Sequence, residues 1–269
     1  MRRTFTDQMN QRISLPYPPQ RIVSLVPSQT ELLHYLGLEE EVVGITKFCV
    51  HPAKWFRTKK RVGGTKQLHL EAIEALKPDL IIGNKEENER GQIETLAKKY
   101  PVWMSDIQTL EEALQMIQEV GILINKEAEA VDLVRLIQTD FSNIPKPEKP
   151  TRAAYFIWRK PYMVAAADTF IQEMLQSAGF ENVFAAQSRY PEITAEDLAQ
   201  AQPEVILLSS EPYPFKHKHF AEFQQLCPLA VVQLVDGELF SWYGSRLLHS
   251  AAYFRNLQLE LARQLKNRL

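Results

Sequence analysis

The segment Glu71-Ala-Ile-Glu-Ala-Leu-Lys-Pro-Asp-Leu-Ile-Ile82 has a second version, Glu196-Asp-Leu-Ala-Gln-Ala-Gln-Pro-Glu-Val-Ile-Leu207. In both copies a glutamate lies seven positions before a proline, an acidic residue follows the proline, and an apolar run comes next. The copies are 125 positions apart, far more than the roughly 20–50 residues that separate solenoid repeats. The repetition therefore predicts two related α/β lobes, each with one equivalent glutamate.

The pattern around both copies alternates between buried-type strands and amphipathic helices. In the first half, after a short β-hairpin over 4–15, strands are predicted over 21–26, 42–46, 80–82 and 102–104, and helices over 29–36, 70–76 and 93–99. The first of these helices is predicted to start with a capping box formed by Ser28 and Glu31. In the second half, strands are predicted over 153–158, 205–208 and 231–235, and helices over 169–177, 196–200 and 246–266. This rhythm predicts parallel sheets covered by helices on both faces.

A strand-free segment separates the two halves. It predicts one helix over 110–124 and a second from 126, with Ala130, Val134, Ile137 and Phe141 on one stripe. The proline-rich stretch over 145–150 is typical of a stiff connector. We therefore predict an N-terminal α/β lobe over 1–105, a linking helical segment over 106–145 and a C-terminal α/β lobe over 146–269.

Composition excludes several classes of protein. Of the 269 residues 45% are hydrophobic and 24% charged, and the formal net charge of −2 gives no overall attraction to nucleic acid. No apolar run is long enough to span a membrane, and the polar start of the chain does not resemble a secretory leader, so a cytoplasmic location is one expectation. Cys49 and Cys227 fall in different halves and are interpreted as two separate thiols.

Ligands of open α/β sheets bind beyond the carboxyl ends of the strands, so the loops that follow the predicted strands are the candidate site. Aromatic and polar residues dominate these loops, as expected for a cleft that holds a bulky, partly apolar ligand. The candidate ligand-binding residues from these loops are Lys47, Phe48, Cys49, His51, Asn84, Arg159, Tyr162, Tyr213, Glu238, Trp242 and Tyr243.

Two soft ligands for a metal stand close together in the sequence as Cys49-Val-His51. Thiolate and imidazole suit zinc, iron or cobalt, and a carboxylate such as Glu238 could complete the set. The alternative interpretation is a buried thiol and a loop histidine. No common nucleotide-binding, hydrolase or metalloprotease motif is present, so we predict no catalytic activity. The alternative function is a metal-dependent enzyme, or a cytosolic carrier of a metal or chelate, that uses Cys49, His51 and a cleft carboxylate.

The residues over 21–31 and the two matched glutamate–proline segments resemble the class III substrate-binding proteins of ABC importers, especially their cobalamin-binding and iron–siderophore-binding members. The resemblance implies two Rossmann-like lobes joined by a single long backbone helix. It implies a periplasmic or membrane-peripheral, monomeric receptor without a covalent cofactor, which captures a cobalt- or iron-containing chelate between its lobes and delivers it to a permease. The ligands implied are cobalamin or another corrinoid, haem or an iron–siderophore. Glu71 and Glu196 match the glutamates that dock onto arginines of the two permease subunits.

The same resemblance bears on the ligand. At the positions where cobalamin binders carry cleft aromatics, this chain has Thr65, Asn84, Met163 and Tyr190, and Trp242 stands near an arginine position of that pattern. Only Tyr190 keeps an aromatic ring there. The resemblance therefore adds Met163 and Tyr190 to the predicted ligand-binding residues and leaves haem, a siderophore complex or another corrinoid open, with Cys49 or His51 as an axial ligand.

Overall fold

The computed structural model of the protein describes residues 1–266, and these residues form two units, each with its own sheet. The first unit consists of Met1–Ile107, Glu111–Leu136 and Tyr243–Arg246. The second consists of Gln108–Leu110, Ile137–Trp242 and the described residues from Leu247 onward. The predicted boundaries at 105 and 146 stay a prediction, and the last three residues of the predicted C-terminal lobe lie outside the described part of the chain.

The first unit contains a hairpin and a five-stranded sheet. Its strands are β1 (Arg2–Thr6), β2 (Arg12–Pro16), β3 (Ile22–Ser24), β4 (Val42–Ile45), β5 (Lys60–Arg61), β6 (Leu80–Asn84) and β7 (Val102–Ser105). Its helices are α1 (Pro27–Tyr35), α2 (Ala53–Thr58), α3 (Leu70–Leu76), α4 (Arg90–Ala97) and α5 (Leu110–Leu123). Strands β1 and β2 pair antiparallel, as predicted, and the sheet has the order β5-β4-β3-β6-β7 with every pair parallel.

One helix carries the chain from the first unit into the second. Helix α6 (Glu127–Ser142) follows α5 after a left-handed turn at Asn125, and the boundary between the units falls inside it. The predicted apolar stripe is largely correct, since Ala130, Val134 and Ile137 are buried.

The second unit has a parallel core with an antiparallel edge. Its strands are β8 (Thr151–Trp158), β9 (Tyr162–Val164), β10 (Phe180–Asn182), β11 (Glu192–Ile193), β12 (Val205–Ser209) and β13 (Val231–Val235). Its helices are α7 (Phe170–Ser177), α8 (Ala195–Ala201), α9 (Phe220–Leu226), α10 (Glu238–Ser241) and α11 (Leu247–Lys266). The order is β11-β9-β8-β12-β13, with β10 beside β8; strands β8, β10, β12 and β13 are parallel, whereas β9 and β11 run antiparallel. The predicted α/β class with parallel sheets is confirmed, and the antiparallel edge is an addition to it.

The predicted capping box at the start of α1 is wrong. The helix begins at Pro27, its N-cap Val26 makes no side-chain cap, and Ser28 is buried within the first turn. Proline at the first helical position needs no hydrogen-bond partner for its nitrogen and already has a helical φ, so it starts the helix by itself. The Glu31 carboxylate instead accepts two hydrogen bonds from Arg246, at 2.7 and 2.9 Å.

The two copies of the repeat fold into the same local structure. Helices α3 and α8 both have seven residues and both end at a residue in the left-handed region, Lys77 at φ 47° and Gln202 at φ 45°. A proline follows each of these residues, and the chain then enters a fully buried strand, β6 or β12.

The acidic residue after each proline binds the backbone of a neighbouring strand segment. Asp79 accepts hydrogen bonds from the backbone N–H groups of Gln20 and Arg21, at 2.8 Å each, and Glu204 accepts one from Arg152 at 2.9 Å. The arginine side chains complete the link. The Arg21 guanidinium donates to the Leu76 carbonyl and that of Arg152 to the Ala201 carbonyl, both at 2.6 Å. The repeated pattern thus encodes a joint between a helix end and a sheet.

Candidate functional site

The loop after β4 presents an aromatic side chain to solvent. Phe48 is 51% exposed, and the Lys47 ammonium lies 5.1 Å from the centre of its ring. Gly64 packs beneath this pair, because a Cβ at that position would approach the Phe48 ring to 3.1 Å and the Lys47 side chain to 3.3 Å. The structure therefore places both predicted residues at the carboxyl end of the first unit's sheet, where a ligand can reach them.

Cys49 lies in the same loop but points into the core. Its side chain is fully buried, and the sulfur lies 3.1 Å from the hydroxyl oxygens of both Thr30 and Thr46. Burial raises the pKa of the Cys49 thiol, which favours the neutral thiol over the thiolate that a metal needs. No group of three or more histidine, cysteine, aspartate or glutamate side chains that could hold a metal occurs within residues 1–266. These contacts support the buried-thiol interpretation, and metal binding by Cys49 and half-buried His51 stays a prediction.

Asn84, at the end of β6, belongs to a buried polar network. Its side-chain N–H₂ donates to the Ser105 carbonyl and hydroxyl, and its side-chain oxygen accepts from the backbone N–H groups of Glu86 and Glu87. Both ends of the amide are therefore occupied in shaping the loop after β6. Gln29, which sequence reasoning missed, joins the network by donating to the Ser105 hydroxyl at 2.7 Å.

Tyr243 belongs to the first unit, although its neighbour Trp242 belongs to the second. Burial, and after it the negative charge of Glu87, raise the pKa of Tyr243 well above its usual value. The phenol is therefore neutral, and its side chain is buried.

In the second unit, Arg159 and Tyr162 bind one carboxylate. The Arg159 guanidinium lies 2.7 and 2.8 Å from Glu222 Oε2, and the Tyr162 hydroxyl donates to Glu222 Oε1 at 2.5 Å. Burial, and after it the hydrogen bond to Glu222, raise the pKa of Tyr162 to about 12. The two predicted residues are thus brought together, but by a partner from α9 that sequence reasoning missed.

An aromatic cluster lies beside this carboxylate. The Tyr213 ring contacts the rings of Trp158 at 5.6 Å, Phe215 at 4.7 Å and His219 at 5.6 Å between centroids. Trp158 ends β8, is 39% exposed, and was assigned only to a strand from the sequence. Its position at a strand end was the signal that could have marked it as a site residue.

Trp242 is held from the loop after β12. Glu211 Oε1 accepts hydrogen bonds from the Trp242 indole at 2.8 Å and from the Ser241 hydroxyl at 2.7 Å. Burial raises the pKa of Glu211, and the negative charge of half-buried Glu238 adds to the effect. Trp242 is buried, so only a small part of its ring is open to a ligand.

The remaining predicted residues lie at the antiparallel edge or on the short repeated helices. Met163, in β9, pairs with Glu192 of β11, and half-buried Tyr190 precedes that strand with the Arg189 guanidinium 5.6 Å from its ring centre. Glu71 and Glu196 are each the second residue of their helix and are exposed.

The sequence and fold of this chain are similar to those of known binding proteins. The family model described as periplasmic binding protein matches residues 22–225. A vitamin B12-binding protein of Pectobacterium carotovorum is 25% identical over 87% of this chain and 86% of its own. An uncharacterized ABC transporter substrate-binding lipoprotein of Bacillus subtilis is 28% identical over 76% of this chain and 68% of its own. The periplasmic heme-binding protein RhuT from Roseiflexus has the same fold, with a TM-score of 0.76 at 19% identity over 93% of this chain and 99% of that one.

These findings confirm the resemblance and the fold class predicted from the sequence. The family comprises substrate-binding transport proteins rather than enzymes, so the metal-dependent enzyme is not supported. Within residues 1–266 no helix is both long and apolar enough to cross a membrane. The chain belongs to the periplasmic binding protein family.

Proposed function

We propose that this protein is a receptor that captures a metal chelate and delivers it to the permease of an ABC importer. The observation that carries the proposal is the match to a vitamin B12-binding protein over 87% of the chain. The chelate is cargo, not a resident cofactor, and its class is a corrinoid, haem or an iron–siderophore complex. The protein works as a monomer in the periplasm or at the membrane surface, as the lipoprotein name of one relative suggests.

The proposed ligand-binding surface is the set of loops at the strand ends. Among the predicted residues there, Lys47 and Phe48 are exposed, and Arg159, Tyr162, Met163, Tyr190, Tyr213 and Glu238 are half-buried. Aromatic side chains give a chelate large contact areas, and the flexible thioether of a methionine can adapt to an irregular ligand surface. Asn84, Trp242 and Tyr243 are buried, so in this proposal they shape the loops and contribute little direct contact.

Glu71 and Glu196 are proposed to dock the receptor onto arginines of the two permease subunits. Both carboxylates are exposed, and neither has an ion-pair partner within the described residues. Arginine binds such a carboxylate through two parallel, charge-assisted hydrogen bonds. Helix α8 already has a capping box formed by Thr194 and Asp197, so Glu196 is not needed to start its helix.

Charge reversal tests the docking. In the double variant Glu71→Arg/Glu196→Arg we expect ligand-dependent uptake to be abolished while the affinity for the ligand stays unchanged. The two introduced arginines would repel the arginines of the permease. The matched control is Glu127→Arg/Glu181→Arg, which changes the net charge equally at two other exposed sites. Uptake would be measured with labelled chelate in cells that carry the permease. Uptake that survives the double reversal at Glu71 and Glu196, or is lost equally in the control, contradicts the docking assignment.

A thermal-shift screen tests the ligand class. A chelate that binds only the folded protein raises the free energy of unfolding by about 2.7 kcal/mol at a hundredfold excess over Kd. The apparent melting temperature rises with it. We expect one of cyanocobalamin, haemin or a ferric siderophore to do this, and free divalent metals not to. Stabilisation by free metal alone would contradict chelate capture.

A further inference from the structure

We propose that Trp158, together with exposed lysines of the second unit, selects a chelate that has a flat, conjugated ring and anionic groups. The inference rests on the proposed function, and it concerns residues that no comparison and no sequence motif assigns. All of them belong to the second unit, and Trp158 contacts Tyr213 of the cluster formed by Tyr213, Phe215 and His219.

The first step is that the obvious polar groups at this edge are already used. Arg159 and Tyr162 bind the two oxygens of Glu222. A ligand that recruited Arg159 would have to break a half-buried ion pair and leave the Glu222 carboxylate with less compensation. Arg159 and Tyr162 are therefore better suited to hold the aromatic cluster in place than to donate to a ligand.

The second step is the exposure of Trp158. Tyr35, Phe48 and Trp158 are the exposed aromatic side chains of the described chain, and Trp158 is the one of the three at a strand end of the second unit. Its indole N–H donates to the Lys160 carbonyl at 3.2 Å, and its ring packs against Tyr213 at an interplanar angle of 70°. The indole is thus held by one hydrogen bond and one ring contact, while 39% of the residue stays exposed to solvent. A large ring held rigid and open to solvent is suited to stack on a flat ligand.

The third step is the positive charge of the neighbouring segments. Lys160 follows Trp158 by two residues and is exposed, and so are Lys216 and Lys218 on the segment that follows Tyr213. None of the three forms a salt bridge with a carboxylate within residues 1–266, whereas Arg159 is paired with Glu222, on which the charge of Lys160 also acts. An exposed aromatic ring on a unit that also exposes these three lysines complements a conjugated ring with ionised carboxylate or phenolate groups. A neutral corrinoid or a non-aromatic hydroxamate complex would leave these cations without partners.

The experiment compares four probes by calorimetric titration: haemin, a ferric catecholate complex, cyanocobalamin and a ferric hydroxamate complex. We expect haemin or the catecholate to bind the full chain most tightly, and added salt to weaken that binding because the lysine contribution is screened. Trp158→Ala should weaken it about tenfold, a size typical of a stacked aromatic contact, and Trp158→Phe should restore most of the loss. Lys160→Gln should weaken binding of the anionic probe by about threefold and leave that of cyanocobalamin unchanged.

Two controls keep the outcome specific. Tyr35→Ala removes an exposed aromatic side chain on α1, and Lys149→Gln removes an exposed lysine in the connector before β8. Circular dichroism shows whether each variant is folded. Tightest binding of cyanocobalamin or the hydroxamate with no effect of Trp158→Ala overturns the inference while the proposed function stands. If none of the four chelates binds the unaltered protein, the proposed function itself fails.

Discussion

The two copies of the repeated segment reach the same local fold with different hydrogen bonds. In the first copy, Asp79 accepts two backbone N–H groups, and the guanidinium of Arg21 donates from two nitrogens to the Leu76 carbonyl. In the second copy, Glu204 accepts one backbone N–H from Arg152, and a single guanidinium nitrogen of Arg152 donates to the Ala201 carbonyl. The first joint is therefore held by more hydrogen bonds at the sheet side.

At the starts of the two helices, the second copy has more side-chain hydrogen bonds than the first. Thr194 and Asp197 form a capping box on α8, whereas His69, the N-cap of α3, makes no side-chain cap. The copies thus vary in how they satisfy the backbone, yet each keeps an exposed glutamate at the second helical position. A feature that recurs while its structural surroundings change is better explained by a common partner than by a folding requirement.

The largest expected loss of stability comes from the acidic residues Asp79 and Glu204, which hold the sheet side of each joint. Asp79→Ala removes the carboxylate that accepts hydrogen bonds from two exposed backbone N–H groups, and we expect the free energy of unfolding to fall by about 2 kcal/mol, since each bond contributes about 1 kcal/mol. Glu204→Ala removes one such bond and should lower it by about 1–1.5 kcal/mol. Urea titration followed by circular dichroism measures both losses.

A conservative variant tests the same joint by removing only part of its hydrogen bonding. Asp79→Asn keeps one acceptor oxygen and should retain about half of the stability that Asp79→Ala loses. Equal losses in Asp79→Ala and Glu204→Ala would show that the two joints are energetically equivalent despite their different bonds.

The helix starts give a smaller prediction. Thr194→Ala removes the hydroxyl that accepts from the Asp197 backbone N–H at 3.1 Å, and we expect a loss of about 1 kcal/mol, as for other N-caps. His69→Ala is the matched change at α3, where no cap exists, and should alter the free energy of unfolding by only a few tenths of a kcal/mol. A loss at His69 as large as that at Thr194 would mean that the cap is not what distinguishes the two helices.

Much of this fold could be predicted from the sequence because its central elements have clear periodicity. The helix over 70–76 and the strand over 231–235 were predicted with the bounds observed, and the apolar runs that became β6 and β12 are buried along their whole length. Strands β9, β10 and β11 have only two or three residues, too few for a period to emerge. The start of α1 was misplaced because the partner of Glu31, Arg246, is 215 positions away.

The site was less predictable for the same reason. Strand-end loops could be located, and Lys47, Phe48, Arg159 and Tyr213 do lie at strand ends in the structure. What each side chain does there depends on a partner from a distant element. Glu222, 63 positions beyond Arg159, lies on a helix that was not predicted, so the ion pair that occupies the guanidinium could not be foreseen. A buried thiol was one of the two interpretations of Cys49, but its contacts with Thr30 and Thr46 could not be predicted, because they depend on how α1 packs on the sheet.

The smallest expected change in stability is at the helix ends, where the two copies agree most closely. Lys77 and Gln202 adopt nearly the same left-handed conformation, with φ 47° and ψ 58° against φ 45° and ψ 59°. Glycine enters this region without the steric penalty of a Cβ, although it loses more backbone entropy on folding, so Lys77→Gly and Gln202→Gly should each raise the free energy of unfolding by about 0.5 kcal/mol. Alanine at either position keeps the Cβ and should give no gain, which makes Lys77→Ala and Gln202→Ala the controls. The same urea titration measures all four variants. Each position follows a helix of the same length and precedes a proline, so the two gains in the free energy of unfolding should agree within error. A gain at only one position would show that the two helix ends are not energetically equivalent.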